Sequence, residues 1–175
     1  SVCINFNINK NIIKESLETF QGVKRRLTKI FDENGIIFYD DYAHHPTEIK
    51  DTLSALKKKN GRLIAVIQPH RYSRLDQNYN NFIKSLKDAD ISIILPIFDA
   101  GERKIKGISS QNLTNDINKK KYTEAYYFND FLKAKNKISQ IVKPKDIVVF
   151  MGAGSISLWC NDYANEFKYE VLNVW

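Results

Sequence analysis

Cysteine is scarce in this 175-residue sequence, and its placement excludes two classes of protein. The two cysteines, Cys3 and Cys160, lie far apart, and neither has a partner nearby in the sequence. A structural zinc site needs several convergent Cys or His ligands, and a secreted disulfide framework needs several cysteine pairs. We therefore expect no metal site built on cysteine, no disulfide framework and a cytoplasmic location.

Long apolar runs, glycine and proline are scarce as well. The longest apolar run, residues 93–98, contains Pro96 and falls far short of the ~18 residues that a membrane span needs. No basic-then-apolar N-terminus resembles a secretory signal. The 7 glycines and 4 prolines form no linker, so the composition, 43% hydrophobic and 27% charged, predicts one ordinary globular domain without a membrane partner.

Basic residues outnumber acidic ones, 27 against 20, which gives a formal net charge of +7. Most of the excess is lysine, including runs at residues 57–59 and 119–121. A basic balance favours anionic partners such as phosphates, nucleotides, nucleic acid or a membrane surface. The alternative is a lysine-rich surface in contact with water, and charge alone does not choose between them.

Short apolar runs alternate with helical periodicity along the chain. The apolar runs predict buried strands at residues 63–67, 91–95, 125–128 and 147–150. Helical spacing predicts a first helix that stops near Gly22, one that begins at Pro46, and others around Tyr79, Leu113, Phe131 and Ile156. Asn129 is predicted to cap the helix of Phe131. The pair Asn34-Gly35 predicts a hairpin, so we expect an α/β fold with a mainly parallel sheet and an antiparallel edge strand.

Polar segments follow four of the predicted strands, at residues 40–46, 68–74, 99–102 and 151–155. Ligands of open α/β sheets bind outside the carboxyl ends of the strands. These segments hold all three histidines and two of the six arginines; the residues are His44, His45, His70, Arg71 and Arg74. We therefore predict one functional edge.

Each of these groups also has a structural interpretation. Asp40 and Asp41 could stabilise a turn, or hold a ribose hydroxyl or a metal-bound water. His44 or His45 could cap the next helix, although a carboxylate beside an imidazole also fixes its tautomer and raises its basicity. Two arginines within four residues favour binding of a carboxylate or phosphate, because the guanidinium is a planar fork. The glycine turn at 152–154 is more typical of a close strand-to-helix turn than of a dinucleotide loop, and no P-loop occurs.

Five segments together resemble a known family. They are FQGVKRR (20–26), DDYAHHPTE (40–48), QPHRYSR (68–74), AGE (100–102) and GAG (152–154). In this order they resemble the C-terminal domain of the Mur ligases of peptidoglycan synthesis, from about Phe20 to the last helix. The resemblance implies a Rossmann-like three-layer fold for residues 20–175. It also implies that residues 1–19 are the closing helix of a central domain that carries the ATP-binding P-loop, so the chain, which starts with Ser1, is expected to be part of a longer protein.

The resemblance further implies an activity for the whole ligase. ATP phosphorylates the carboxylate of UDP-N-acetylmuramate, the amine of L-alanine attacks the acyl phosphate, and phosphate leaves. ATP is a co-substrate with Mg²⁺, whose ligands are expected outside this chain, and the isolated domain is expected to be inactive. The segment 69–74 favours the alanine-adding members over the murein-tripeptide recycling ligase. A non-catalytic nucleotide- or nucleic-acid-binding module is the other alternative, but we expect no nucleic-acid partner.

By motif match, the resemblance also implies residue roles. Arg26 corresponds to the arginine on the ATP γ-phosphate, where it stabilises charge during catalysis. Asp41 corresponds to the aspartate that contacts the nucleotide. The residues that match the amino-acid side of the site are Tyr42, His44, His70, Arg71 and Arg74. His44 is the candidate catalytic histidine, but the sequence does not decide whether a histidine accepts the proton of the amine or only orients it.

Overall fold

The structure, a computed structural model, describes residues 2–20, 22–57 and 61–172. Its strands are β1 (Thr28–Glu33), β2 (Ile36–Asp41), β3 (Leu63–Ile67), β4 (Ile91–Ile94), β5 (Glu124–Tyr127) and β6 (Ile147–Met151). Its helices are α1 (Val2–Asn5), α2 (Lys10–Glu18), α3 (Pro46–Lys57), α4 (Tyr72–Gln77), α5 (Tyr79–Ser85), α6 (Ser110–Lys120), α7 (Phe131–Ile141) and α8 (Ile156–Leu172). None of these helices is both long and apolar enough to cross a membrane.

The six strands form one sheet in the order β1-β2-β6-β3-β4-β5. Strand β1 pairs with β2 in antiparallel fashion, and all other pairs are parallel. Alternate side chains of each central strand enter two separate cores. One core lies against α3 to α6 and includes Leu53, and the other lies against α7 and α8 and includes Phe38. The predicted three-layer α/β fold with an antiparallel edge strand is confirmed.

The hairpin forms at the predicted place because its turn residues suit it. Asn34 and Gly35 both have positive φ angles, 52° and 74°, which is the backbone of a type I′ turn. Helix α3 begins at Pro46, as predicted, because proline lacks only an amide proton that the first helical turn leaves unpaired. These two local signals fix β1, β2 and the start of α3, and thus the segment between β2 and α3.

Two local predictions were wrong. The N-terminal segment forms two helices rather than one, and Asn9 caps the second by accepting a hydrogen bond from the Asn11 amide; α2 then ends at Glu18, well before Gly22. The cap of α7 is Asp130, not Asn129, because the Asp130 carboxylate accepts the Lys133 amide at 2.9 Å, three residues on. Gln21 and residues 58–60 lie outside the described residues.

Candidate functional site

The segments predicted to form one functional edge lie together at the carboxyl ends of β2, β6 and β3, which are neighbours in the sheet. Two of its loops are joined by backbone hydrogen bonds: the Arg71 amide donates to the Phe98 carbonyl at 2.8 Å, and the Phe98 amide donates to the Pro69 carbonyl at 2.8 Å. The loop after β3 is therefore held against the loop after β4. This pairing places the ring of His70 parallel to that of Phe98, with centroids 5.4 Å apart.

His44 and His70 meet at this edge. Their ring centroids lie 5.6 Å apart at 62°. Arg74, one turn into α4, places its guanidinium Nη1 3.2 Å from His70 Nδ1. Burial, and then the positive charges of Arg74, His44 and Arg71, lower the pKa of His70 below its ordinary value of 6.5.

Glu48 organises the segment around the two adjacent histidines. Its Oε2 accepts the amides of His44 and His45, at 3.0 and 3.1 Å. The His45 ring in turn accepts the Thr47 amide at 3.4 Å, so His45 caps α3 and lies outside the His44–His70 contact. This is the reciprocal arrangement of a capping box, and it holds His44 over the sheet edge.

Two adjacent arginines pack on Tyr42 in different ways. The Arg25 and Arg26 guanidinium carbons lie 4.9 and 5.1 Å from the centre of the Tyr42 ring. Arg25 is half-buried and donates through Nη2 to the carbonyls of Gly152 and Gly154, at 2.9 and 3.4 Å. Arg26 is exposed and makes no hydrogen bond through its side chain among the described residues. Arg25 therefore ties the loop before β1 to the glycine turn, while Arg26 is free to bind a ligand.

The two acidic residues at the end of β2 are both buried, at 3% and 5% exposure for Asp40 and Asp41. Asp41 accepts the Ala43 amide at 3.2 Å and the Thr52 hydroxyl at 2.6 Å. Asp40 Oδ2 accepts the Ser157 hydroxyl, and Oδ1 has no partner among the described residues. Asp41 thus holds α3 onto the sheet and Asp40 holds α8. The bond from the Ala43 amide to Asp41 also stabilises the turn after β2, as the structural interpretation of the pair predicted.

The glycine turn is a close strand-to-helix turn. A Cβ on Gly154 would lie 2.6 Å from Gln68 Oε1 and 2.6 Å from the Phe98 ring. The Gln68 side chain instead donates to Ser155 Oγ and accepts the Ile156 amide, so it occupies the N-terminus of α8. The dinucleotide-loop alternative is therefore not supported here, because the amide that would face a phosphate already has a partner.

Arg71 has an unusual backbone and a free side chain. Its φ and ψ are 70° and 136°, a region that non-glycine residues rarely adopt. Its guanidinium is exposed and makes no hydrogen bond within the described part of the chain. The hydrogen bond from the Arg71 amide to the Phe98 carbonyl holds this strained backbone in place. The strained conformation turns the chain sharply between His70 and α4.

Glu102, in the AGE segment, supports the start of α4. Its carboxylate accepts the Ser73 amide at 3.0 Å and the Ser73 hydroxyl at 2.7 Å. These two bonds, the largest effects, lower the pKa of Glu102. Sequence reasoning assigned no role to Glu102, Glu48 or Arg25. The position of Glu48 three residues after His45 was a readable capping signal, whereas nothing in the sequence marked the partners of Glu102 and Arg25.

The edge as a whole is rich in cationic and imidazole side chains. The structure brings together the predicted residues Arg26, Asp41, Tyr42, His44, His70, Arg71 and Arg74. Its carboxylates already accept hydrogen bonds from amides and hydroxyls of the domain, so the side chains without such partners are mainly cationic or imidazole. Within the described ranges, no three His, Cys, Asp or Glu side chains converge to hold a metal ion. The fold is therefore that of a Rossmann-like α/β domain, with exposed cationic side chains at one edge of its sheet.

Comparison with known proteins gives the family. The model of the Mur ligase, glutamate ligase domain matches residues 25–154, and the chain belongs to this family. It is 41% identical over 167 residues to a UDP-N-acetylmuramate–L-alanine ligase from Rickettsia felis, covering 93% of this chain and 35% of that protein. The chain thus spans about a third of the length of such relatives.

Solved structures agree with this assignment. The UDP-N-acetylmuramate–alanine ligase MurC of Thermotoga maritima superposes with a TM-score of 0.78 at 26% identity, over 97% of this chain and 36% of that one. A murein peptide ligase from Psychrobacter arcticus superposes with a TM-score of 0.67 at 23% identity, over 91% and 34%, which shows the shared fold alone.

Proposed function

We propose that the whole protein is an ATP-dependent ligase that joins L-alanine to UDP-N-acetylmuramate, and that this chain is its C-terminal domain. The observation that carries the proposal is the convergence of Arg26, His44, His70 and Arg71 on one sheet edge in a chain 41% identical to such a ligase. Similarity to the alanine-adding ligases favours this activity over the murein-tripeptide recycling ligase and over a non-catalytic binding module.

The charged side chains divide between two substrates. Arg26, exposed beside Tyr42, binds the γ-phosphate of ATP and stabilises the charge that develops on it. Asp41 contacts the ribose of ATP. Each of its carboxylate oxygens accepts one hydrogen bond inside the domain, and because a carboxylate can accept about four in all, it can still accept bonds from ribose hydroxyls. Arg71 and Arg74 hold the carboxylate of alanine, so that its amine points at the acyl phosphate.

Magnesium accompanies ATP in the proposed reaction, but this domain does not hold it. The described residues offer no convergent group of three acidic, His or Cys ligands, so the donor set does not fit a Mg²⁺ site. We place the ligands of the ion in the rest of the protein, and no role of the residues above depends on it. The cytoplasmic location stays a prediction.

The N-terminal helices fit a surface of the preceding domain. Neither α1 nor α2 has a buried residue. Large apolar side chains in this segment are exposed, including Phe6 at 76%, Leu17 at 70% and Phe20 at 62%. Covering so many apolar side chains with another protein surface would lower the free energy, because it removes apolar area from water. We propose that residues 1–19 pack on the central domain, whose P-loop would supply the ATP site that this chain lacks.

Arg71→Ala in the full-length ligase tests the proposal. If Arg71 holds the alanine carboxylate, its loss costs about 2–5 kcal/mol, which lowers kcat/KM for L-alanine by roughly 30- to 4000-fold. The KM for ATP should change little. Arg103→Ala is the matched control, since Arg103 is an exposed arginine in a nearby loop. Equal losses for alanine and ATP would remove Arg71 from this role, and ATP turnover by the isolated chain would contradict the division between domains.

A further inference from the structure

The two imidazoles at the sheet edge have different partners at Nδ1: the Tyr42 carbonyl for His44 and the Arg74 guanidinium for His70. Resting on the ligase function proposed above, we propose that His44 accepts, at Nε2, the proton that the incoming amino acid must lose, whereas His70 only donates a hydrogen bond from Nε2. The sequence left open which histidine, if either, takes this proton. The partners of the two Nδ1 atoms decide it.

His44 has a lone pair at Nε2. Its Nδ1 lies 2.9 Å from the Tyr42 carbonyl oxygen and 3.4 Å from Glu48 Oε2. Although burial alone would raise it, hydrogen bonds from the amides of His44 and His45 lower the pKa of Glu48, so this carboxylate is ionised at neutral pH. Both oxygens therefore only accept, and Nδ1 must carry the proton of the neutral ring. Nε2 is left as a proton acceptor.

His70 has the opposite tautomer. Its Nδ1 lies 3.2 Å from Nη1 of Arg74, and a guanidinium can only donate hydrogen bonds. Nδ1 therefore accepts, and the proton of the neutral ring is on Nε2. Burial, followed by the charges of Arg74, His44 and Arg71, lowers the pKa of His70, which keeps this ring neutral at pH 7.

The groups that face the two rings differ in charge. His44 faces the Glu48 carboxylate and the Tyr42 carbonyl, which stabilise an imidazolium. His70 faces two guanidiniums and one opposing carboxylate, those of Arg71, Arg74 and Glu102. Of the two rings, whose centroids lie 5.6 Å apart, only His44 thus combines a carboxylate beside Nδ1 with an unprotonated Nε2.

The proposed step conserves atoms and charge. The ammonium of alanine loses a proton: one N–H bond breaks, an Nε2–H bond forms on His44, and a neutral amine and an imidazolium result. The amine nitrogen then bonds to the acyl carbon while the bond from that carbon to the phosphate oxygen breaks. The second proton lost by nitrogen leaves with the phosphate, and His44 returns its proton to water. His70, as a donor, orients the substrate.

The tautomers can be measured on this chain without any ligase activity. The sequence has only three histidines, so long-range ¹H–¹⁵N spectra of the ¹⁵N-labelled chain at about pH 8 would resolve every ring. We expect a protonated Nδ1 and an unprotonated Nε2 for His44, and the reverse for His70. His45→Asn, which keeps a good helix cap, assigns the third ring and leaves the other two unchanged.

Arg74→Met is the matched perturbation, because it keeps the unbranched apolar stem of the side chain and removes the donor to His70. We expect His70 to become a mixture of tautomers with a higher pKa, and His44 to keep its pattern. A protonated Nε2 on His44, or the same tautomer on both rings, would overturn the inference even if the full-length protein proved to be an alanine ligase. Conversely, if the expected tautomers were found but the full-length protein did not use alanine, the proposed function would be refuted and the tautomer assignment would stand.

Kinetics of the full-length ligase test the proton transfer itself. General-base catalysis contributes about 10²- to 10⁴-fold, so His44→Gln should lower kcat by about 100-fold or more, with the loss shrinking as rising pH deprotonates the amine directly. His70→Gln keeps an N–H near the Nε2 position and should mainly raise the KM for alanine. A His44→Gln enzyme with the kcat of the wild type would refute the role of His44.

Discussion

Replacing Arg25 by alanine should destabilise this domain, whereas the same change at Arg26 should leave its stability almost unaltered. The two arginines are adjacent and both lie over Tyr42, but only Arg25 donates to the backbone of the glycine turn. The sequence alone treats them alike. The structure separates a residue that holds the site together from one that is available to a ligand.

The magnitude follows from the contacts. Hydrogen bonds to a charged group contribute about 1.5–3 kcal/mol each, and a guanidinium over an aromatic ring about 0.5–1 kcal/mol at a partly exposed position. Arg25 makes two such hydrogen bonds, at 2.9 and 3.4 Å, of which the second is weak, so its total stabilisation exceeds that of a single bond. The buried Nε of Arg25 has no partner among the described residues and offsets part of it. We expect Arg25→Ala to lower the free energy of unfolding by about 2–3 kcal/mol.

Urea unfolding of the isolated chain, followed by circular dichroism, measures this loss. Heat denaturation should show a fall in Tm of roughly 4–12 °C, since 1 kcal/mol corresponds to about 2–4 °C at this chain length. Arg25→Lys should lose part of the stability, because an ammonium lacks the guanidinium fork.

Arg26→Ala is the matched control for this experiment. It should change the free energy of unfolding by less than about 1 kcal/mol, yet lower kcat of the full-length ligase by about 10²- to 10³-fold if Arg26 binds the γ-phosphate. Equal destabilisation by the two variants would refute the reasoning, as would an Arg25→Ala domain as stable as the wild type.

Two further predictions concern the same edge. Gly154→Ala should lower the free energy of unfolding by about 1–3 kcal/mol in urea titrations, because the new Cβ would lie 2.6 Å from both Gln68 and Phe98. The control, Ala153→Ser at a half-buried neighbouring position, should lower it by less than about 0.5 kcal/mol. Equal losses in the two variants would contradict the crowding at Gly154. The pKa of His70 is lowered in the fold, so the unfolded chain binds more protons near its ordinary value of 6.5, and stability should fall as pH drops from about 7.5 to 5.5. His70→Gln should flatten this pH dependence, and a variant with the slope of the wild type would exclude His70 as its source.

Local signals were sufficient to predict most of the fold. The hairpin follows from the ability of Asn34-Gly35 to take two positive φ angles, and the start of α3 follows from Pro46. The cap of α7 was misplaced by one residue because Asn129 and Asp130 are both good cap residues. The choice depends on which side chain reaches the Lys133 amide, and that is set by the backbone after β5.

The sheet topology was enough to predict which loops form the site, but not the contacts within it. His44 and His70 lie together because parallel strands bring their carboxyl ends to one edge, which is a rule of the fold. The contacts that organise the edge join distant residues: Arg25 reaches Gly152 across 127 positions, and Ser73 reaches Glu102 across 29. Neither periodicity nor local sequence patterns indicate contacts between residues so far apart in the chain. The sequence therefore carried no signal for the roles of Arg25 and Glu102.

The electrostatics of the edge favour its proposed role as part of a larger site. Its buried carboxylates, Asp40 and Asp41, accept hydrogen bonds from the domain itself, whereas the guanidiniums of Arg26 and Arg71 are exposed. In water, such exposed cations attract an anion only weakly, because the solvent and salt screen them. The same cations interact much more strongly once a second surface excludes water from the edge. We therefore propose that the domain contributes charge and proton acceptors to the reaction only when it closes on its neighbour, and that the exposed apolar side chains of α1 and α2 join it to that neighbour.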